Sequence, residues 1–388
     1  MSSHTNSDEF PKNVPNSPEL LTFLAFFSGS LKIPNKSNNI QQNPTPHSKF
    51  SNPRKRPVTP KSIMKSTIIY SLLAAAAACG MAFGQTTAYS APVGYVSQAL
   101  PANSFSFVGL TAHQPAAYSG IVTSASSSSV TASGIDFATL LTEGQTYVLE
   151  LADGTIQEVN SWTAQGVLTT PDNISSKITP NVTKFKLRKA ATISDIFGAN
   201  NAAGLKSTDG DIDSADVIYL VGSGGAVTPV YYYNDGSEQA WYTAEGEPAG
   251  DLPLVYGDGF YIGRKAGDPL NLVVSGEVKT VPTSGVVAPG WNFLSGVAPA
   301  GLTLGNSGLK NFLSSTDGDY LTVDNIYIPN PDGSFTIAYY YDDGSEAEWY
   351  TADGEPAADL QLNGGFLIFS RSSTKNYTLN VPTSYSSL

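Results

Sequence analysis

Carboxylates are the side chains of this chain with the most obvious capacity for chemistry, and one group of them alternates along a short run. Their oxygens could surround a hard cation such as Ca²⁺, and the group comprises Asp209, Asp211, Asp213 and Asp216. An EF-type loop that starts at Asp209 lacks its turn glycine and places Leu220 where a bidentate acid is needed. If the same run is aligned with a dockerin-like calcium loop, the first ligand positions of that loop have no acidic residue. The pattern therefore favours a solvated turn, and Ca²⁺ binding stays open as the alternative.

A second group of acids lies in Gly-Pro loops, where two carboxylates across a cleft could hydrolyse a glycosidic bond. The group is Glu245, Glu247 and Asp251, with Asp353, Glu355 and Asp359 in a repeated stretch. Carboxylates in such loops are ordinarily solvated. His113 is the only histidine after residue 84, and we assign no histidine-based triad or zinc site to it. The sequence predicts no catalytic residue, and a glycoside hydrolase is kept as the second alternative.

Aromatic residues recur in a pattern that could hold sugar rings on flat platforms. The candidate ligand-binding residues are Tyr232, Trp241, Tyr242, Tyr340, Trp349 and Tyr350. Alternate residues of a strand face opposite sides, so neighbouring rings divide between the core and the surface. Packing is the favoured role of these rings, and a carbohydrate-binding module is the first alternative function.

These residues lie in a sequence that repeats itself with an offset of 108 residues. Segments 207–220 and 315–328 share eight of fourteen residues, and segments 230–252 and 338–360 share seventeen of twenty-three. The pattern indicates internal duplication. We expect copy 1 at 191–284 and copy 2 at 285–388, preceded by an N-terminal β-rich region at 85–190. Because Pro101 to Phe105 resembles Pro289 to Phe293 at the start of copy 2, two descriptions stay open. Either copy 1 begins near residue 101 and residues from about Tyr118 to Lys189 are inserted into it, or the N-terminal region is a separate domain.

The elements that must position these residues are predicted to be short strands. Runs of β-branched and aromatic residues are bounded by Gly, Pro, Asn and Asp throughout the region after residue 84. The segments 234–236 and 342–344 contain Asp-Gly and indicate hairpin turns. Strands are expected at 146–151, 155–159, 167–170 and 184–188, and short helices within 193–206 and 303–314. The predicted fold class is all-β, with antiparallel sandwich or barrel-like modules.

The first 84 residues differ in composition from the rest. From Met64 the chain has one lysine, an apolar run and the small-residue site Ala82-Phe83-Gly84, which together indicate a signal peptide at 64–84 that is cleaved near Gly84 and Gln85. A lipoprotein signal that ends at Cys79 is the less favoured alternative. Residues 1–63 are polar and predicted to be disordered. One hypothesis is that translation begins at Met64 and that 1–63 is not made.

Charge excludes some partners of the exported part. Residues 1–84 contain nine Lys or Arg and three Asp or Glu, so the remainder has 21 − 9 = 12 bases and 33 − 3 = 30 acids, a net charge of −18. Such a field repels nucleic acid and anionic lipid. The predicted mature chain has no apolar run long enough to span a membrane. Cys79 is the only cysteine of the chain and lies in the predicted signal peptide, so the predicted mature chain has none. We expect no required cofactor, with Ca²⁺ as the open case.

The signal peptide, the segment 91–96 (APVGYV), the Tyr231-Tyr232-Tyr233 strand, Trp241 and the segment 259–264 (GFYIGR) together resemble an uncharacterised family of secreted β-rich proteins. That family occurs as many paralogues in verrucomicrobial bacteria. The resemblance implies export and a β fold. The expected function is that of a non-catalytic structural or binding protein of the cell envelope, cell surface or extracellular space, with a glycan or envelope component as a possible partner and an undetermined oligomeric state.

Overall fold

A computed structural model describes residues 92–222 and 226–388, all within one unit of the chain. The predicted leader, the predicted signal peptide and Cys79 lie outside the described residues. Short strands in several antiparallel sheets dominate the described part, and its two α-helices have only four and five residues. The fold is all-β, as predicted. No described helix has the length and apolar character that a membrane span needs.

The described chain begins with two strands whose partners lie far along the sequence, β1 (Val93–Leu100) and β2 (Phe105–Gly109). The next strands form a body with its own core, here called the β3–β10 body. Its elements are β3 (Ala116–Ile121), β4 (Ser124–Ser126), β5 (Ser129–Thr131), α1 (Phe137–Leu140), β6 (Tyr147–Leu151), β7 (Ile156–Glu158), β8 (Ser161–Trp162), β9 (Val167–Thr169) and β10 (Lys184–Lys189). Two four-stranded sheets, β3-β10-β6-β7 and β4-β5-β9-β8, enclose this core. The four strands expected in this segment are confirmed within one or two residues at each end.

A second core lies under the strands of copy 1 together with β1 and β2, and we call this group the first module. Its further elements are β11 (Ala191–Thr192), α2 (Ile193–Phe197), β12 (Val217–Val221), β13 (Val227–Asn234), β14 (Gln239–Thr243), β15 (Pro253–Leu254), β16 (Gly259–Gly263) and β17 (Leu270–Glu277). The main sheet has the order β14-β13-β12-β16-β2, and β1 pairs with β17 and with no other strand of the described residues. Helix α2 begins at a capping box, in which Thr192 and Asp195 bond each other's backbone amides.

The second module has a third core. Its strands are β18 (Thr283–Val287), β19 (Gly290–Ser295), β20 (Ser315–Thr316), β21 (Asn325–Pro329), β22 (Phe335–Asp342), β23 (Ala347–Thr351), β24 (Gly365–Ser370) and β25 (Lys375–Leu379). The hairpin turns expected at 234–236 and 342–344 join β13 to β14 and β22 to β23. The helix expected within 303–314 is a single 3₁₀ turn at Leu309–Asn311.

The two modules pair their strands in the same way. Strand β2 pairs with β16 and β1 with β17, just as β19 pairs with β24 and β18 with β25. The strands β1 and β2, which precede residues 118–189, thus pair with strands of the first module. The insertion of 118–189 into copy 1 stays a prediction. Strand β18 crosses the expected boundary between residues 284 and 285.

The modules meet through close backbone contact and an aromatic cluster. A Cβ atom on Gly109 of β2 would lie 2.6 Å from Ser295 Oγ and 2.7 Å from the carbonyl carbon of Gly364, so only glycine fits there. The ring of Phe107 stacks on Phe293 with centroids 5.9 Å apart and meets the ring of Phe335 edge-on at 5.1 Å. Contacts this close hold the two sheets in one fixed arrangement.

Candidate functional site

The structure places both repeated tryptophans in the cores. Trp241 is 2% exposed and Trp349 is 1% exposed. Tyr232 pairs with Trp241 across the ladder and shares its inner face, with ring centroids 4.9 Å apart, and Tyr340 packs on Trp349 at 5.2 Å. Residues opposite each other in an antiparallel pair point to the same face. Trp241, Trp349 and Tyr232 therefore do not form the surface platforms that the sequence allowed.

The neighbouring tyrosines face outward, because the side chains of a strand alternate. Tyr233 and Tyr242 lie on the outer face of the first module, and Tyr341 and Tyr350 lie on the outer face of the second. We call each pair, with the carboxylates that it contacts, a tyrosine face. Of the six proposed ligand-binding residues, only Tyr242 and Tyr350 belong to these faces.

Each tyrosine face has a fixed geometry. The ring of Tyr233 meets that of Tyr242 edge-on, with centroids 6.1 Å apart and an interplanar angle of 84°. The corresponding values for Tyr341 and Tyr350 are 5.9 Å and 88°. Edge-to-face pairs of this kind are a favourable aromatic arrangement. The two modules thus present the same aromatic shape at two places.

Carboxylates of the hairpin turn hold the tyrosines in place. Tyr233 donates a hydrogen bond to Asp235 Oδ2 over 3.0 Å, and Tyr242 donates to Glu238. In the second module Tyr341 donates to Asp343 over 3.0 Å and Tyr350 to Glu346. A phenol that donates to a carboxylate keeps its own lone pairs for a ligand. Each face can therefore accept hydrogen bonds from a bound group.

The turn itself is ordered around one carboxylate. Asp235 Oδ1 accepts from the amide of Glu238 and from the amide and hydroxyl of Ser237, each over 2.8 Å. These donors hold the pKa of Asp235 well below its ordinary value. The hydrogen bond to Asp235 in turn raises the pKa of Tyr233. The tip of the hairpin turn therefore carries a negative charge beside neutral phenols. Such a surface suits a ligand that donates hydrogen bonds.

The alternating acids do not assemble as a metal site. No group of three or more His, Cys, Asp or Glu side chains among the described residues is placed to hold a metal ion. Asp209 and Asp213 are exposed, and Asp211 caps a single 3₁₀ turn by accepting from the amide of Asp213. Asp216 is fully buried and forms an ion pair with Arg264, 2.8 Å from Nε to Oδ2. The four acids are therefore kept apart, because Asp216 is part of the core and the other three lie at the surface.

The loop acids of the hydrolase alternative lie on the surface. All six are exposed, namely Glu245, Glu247, Asp251, Asp353, Glu355 and Asp359. Hydrolysis of a glycosidic bond requires one carboxylic acid with a pKa raised by its surroundings. None of the six carboxylates is enclosed as such a general acid ordinarily is.

A buried ionic cluster that sequence reasoning missed joins the β3–β10 body to the first module. Glu150 and Arg188 come from β6 and β10, whereas Tyr256, Glu277 and Lys279 come from the first module. Arg188 bonds Glu150 Oε2 over 3.2 Å and Glu277 Oε1 over 2.7 Å. Tyr256 donates to Glu150 Oε2 over 2.7 Å. The available signal was a charge within the buried run YVLEL of β6.

His113 is enclosed by this cluster, with its ring 4.5 Å from that of Tyr256. Desolvation by burial, reinforced by the positive charge of Lys279, lowers the pKa of His113 to about 3. Burial lowers the pKa of Lys279 to about 8, and the charges of Lys279 and Arg188 outweigh burial to lower the pKa of Glu150. Because His113 is only 4% exposed, a ligand from solvent cannot reach this cluster, which instead connects the β3–β10 body to the first module. The tyrosine faces are therefore the accessible candidate site.

Comparison of the chain with protein-family models, with curated proteins and with solved structures finds no match. The resemblance to a verrucomicrobial secreted family therefore stays a prediction.

Proposed function

We propose that the exported part of this chain is a non-catalytic binding protein of the cell envelope or extracellular space, and that the two tyrosine faces are its binding surface. The observation that carries the proposal is the repetition of one geometry on partly exposed rings. The edge-on tyrosine pairs in the two modules agree within 0.2 Å (6.1 and 5.9 Å) and within 4° (84° and 88°). Packing requirements would account for repeated buried residues, whereas these repeated rings lie outside the cores.

A glycan is the ligand class that the faces favour. Sugar rings combine apolar C–H faces with hydroxyl donors, and each face offers an aromatic surface beside carboxylate and phenol acceptors. The charge of −18 calculated for the region after residue 84 favours a neutral glycan over an anionic one. The hydrolase alternative lacks comparable support, because its carboxylates are exposed in loops.

Two equivalent faces predict avidity toward a repeating polymer. If both faces engage one polysaccharide, loss of either face weakens binding by more than the loss of half the sites. The test is binding to a glycan array and to insoluble polysaccharides by the wild type, by Tyr233→Ala with Tyr242→Ala, by Tyr341→Ala with Tyr350→Ala, and by all four together. We expect each double variant to bind at least about tenfold more weakly, and the quadruple variant to lose binding.

A matched control is Tyr95→Ala, since Tyr95 is 75% exposed on β1, outside both faces. This control should bind as the wild type does. Retention of glycan binding by the quadruple variant would reject the tyrosine faces as the site. Export is part of the same proposal, and N-terminal sequencing of secreted protein tests it by locating the first residue, expected at Gln85.

A further inference from the structure

A cleft of about 330 Å³ lies between the two modules, on a side that the tyrosine faces do not use. One wall contains residues 96–99 of β1 with Phe105 and Ser106, and the other contains residues 361–366. The volume lies at the lower end of the range for ligand sites. None of the described residues that line the cleft is charged, although the chain carries a strong net negative charge. An ionised group would lose its hydration there without gaining a counter-charge, so the cleft suits an uncharged ligand.

The cleft follows the edge of β1 and not one of its faces. Four consecutive residues of β1 line it, whereas a cleft against one face of a strand would meet only alternate residues. Among the strands that the structure describes, β1 pairs only with β17. Its other edge therefore faces the cleft.

The ladder shows which backbone groups point along that edge. Val93 pairs with Glu277, and both backbone groups of Glu277 bond His113 on the far side of β17, over 3.0 and 2.7 Å. Val93 and Glu277 are thus a non-hydrogen-bonded pair. Because such pairs alternate with hydrogen-bonded ones, the N–H and C=O groups of Ser97 and Ala99 also point away from β17. No hydrogen bond from another described residue reaches the backbone of Ser97 or Ala99.

Two side-chain atoms in the cleft are also unpaired. Ser106 is 7% exposed, and its Oγ has no hydrogen-bond partner among the described residues. Asn363 Oδ1, on the opposite wall, is likewise buried and unpaired within the described part. Buried polar atoms without partners are costly and uncommon in folded proteins. Both atoms are shielded from solvent, so a ligand in the cleft would pair with them after a rotation of each side chain toward it.

The equivalent edge in the second module is occupied by the chain itself. Ser284 of β18 pairs with Thr378 as Ser97 pairs with Val273, and its amide points away from β25 to donate to Gly154 O over 2.8 Å. Thr155 forms a parallel bridge with Ser284. The tight turn between β6 and β7 thus covers the edge of β18, with Thr155, at the end of that turn, as the bridged residue.

The second wall is equivalent as well. Gly257 lies two residues before β16, and Asn363 lies two residues before β24. A Cβ atom on Gly257 would lie 3.0 Å from Ile156 Cδ1, so the inserted segment also covers this position. The cleft beside β1 is therefore the counterpart of a site where the backbone of the same chain pairs with a strand edge, through Gly154 and Thr155.

From these contacts we infer that the edge of β1 binds an extended, uncharged segment of a separate polypeptide by β-strand addition. Main-chain bonds to Ser97 and Ala99 supply affinity, as in other edge-strand complexes. Asn363 Oδ1 and Ser106 Oγ select a segment with hydrogen-bond donors, such as Ser, Thr or Asn. The partner is thus a protein with an exposed strand or tail of small uncharged residues.

The probe is an acetylated and amidated peptide of residues 152–157 with Asp153→Asn, which reproduces the occupant of the β18 edge without its charge. Binding is measured by calorimetry, and its position by NMR. We expect saturable binding, with shifts concentrated at residues 96–99 and 361–366. Absence of saturable binding at millimolar peptide would overturn the inference.

Ser97→Pro removes the backbone donor without breaking the β1–β17 ladder, because that N–H points away from β17. We expect peptide affinity to fall about tenfold, the effect of one or two lost hydrogen bonds. Ser275→Pro is the matched control, since the amide of Ser275 points toward the opposite edge of the same ribbon and should leave affinity unchanged. Equal affinity in both proline variants would overturn the assignment of the edge.

Asn363→Ala is a second test variant, and it leaves strand β1 intact. It should weaken binding of the peptide several-fold without lowering the Tm of the protein. Sedimentation of the wild type distinguishes a partner protein from a second copy of the chain. A dimer that Ser97→Pro dissociates would overturn the separate partner in favour of self-association. The tyrosine-face variants should bind the peptide normally, so failure of the glycan proposal leaves this test intact.

Discussion

Asp216 and Asp324 hold equivalent positions in the two modules and make matching contacts. Each carboxylate accepts a hydrogen bond from the amide ten residues earlier, Lys206 or Ser314, over 2.8 Å. Each also accepts from an amide just after the Gly-Phe strand, over 2.6 Å at Lys265 and 2.8 Å at Arg371. A cation completes both sites, Arg264 in the first module and Lys375 in the second. The acid at this position of each module fastens a loop to the sheet.

Replacement of this acid should destabilise the fold strongly. We expect Asp216→Ala to lower the free energy of unfolding by roughly 3 kcal/mol, because Arg264 would remain buried without its partner. Urea unfolding measures the change. Asp209→Ala is the control, since Asp209 is exposed and its loss should cost no more than about 0.5 kcal/mol. A wild-type Tm that falls on chelation, with Asp209→Ala abolishing the fall, would instead support the calcium loop.

The buried histidine should make the fold sensitive to acid. The pKa of His113 is lowered from its ordinary 6.5 to about 3, so below pH 6.5 the unfolded chain takes up a proton that the folded chain excludes. The stability contributed by neutral His113 is complete above pH 6.5 and falls as the pH drops toward 3.

We expect the wild type to lose about 2 kcal/mol more than His113→Phe between pH 7 and pH 5. Urea unfolding of both proteins across this range gives the difference, in which the contributions of the carboxylates cancel. Parallel stability curves for the two proteins would show that burial does not suppress protonation of His113.

The two buried tryptophans should respond differently to the loss of their indole N–H. Trp241 Nε1 donates to Gly198 O over 2.9 Å, whereas Trp349 Nε1 has no acceptor in the described part of the chain. Trp241→Phe should therefore cost about 1 kcal/mol more than Trp349→Phe, the usual net value of one hydrogen bond. Thermal unfolding compares them, and equal losses would contradict the assigned bond.

Close backbone contact at the module junction should exclude any side chain from Gly109. We expect Gly109→Ala to destabilise the protein by roughly 1 to 3 kcal/mol, because its Cβ would overlap Ser295 and Gly364. Gly267→Ala is the matched control, since a Cβ there meets no atom within 4 Å. Denaturant unfolding of both variants tests the junction, and similar stabilities would argue against tight packing of the modules.

Local chemistry made the strands and turns of this fold predictable. The β-branched and aromatic runs form strands, and the Asp-Gly turns form hairpins where the sequence placed them. The pairing of β2 with β16 depends on residues distant in sequence, and the only sign of it was the faint likeness of residues 101–105 to 289–293. That alignment was off by two residues, because the ladders match Phe105 with Trp291 and not with Phe293. The edge of β1 could not be predicted at all, because its cleft depends on residues 361–366 of the other module.

The residues of the candidate site could be predicted only in part, because their positions also depend on tertiary packing. Alternation along β13 and β14 divided the aromatic rings between the two faces of the sheet, yet the amino-acid sequence did not show which face packs on the core. The register of Tyr232 opposite Trp241 settles it, since a large pair of that kind fills the core. The ionic cluster stayed hidden because Glu150 and Arg188 meet Glu277 only through tertiary contacts.

The placement of the β3–β10 body between β2 and β16 has a consequence for biosynthesis. A chain made from its N-terminus releases Phe105 and Phe107 long before Gly263 and Tyr261, which they face across the ladder. Pairing at such long range is slow, and an unpaired aromatic strand tends to aggregate. We therefore expect the β3–β10 body to fold first, while β1 and β2 depend on chaperones until the ribosome has passed Glu277.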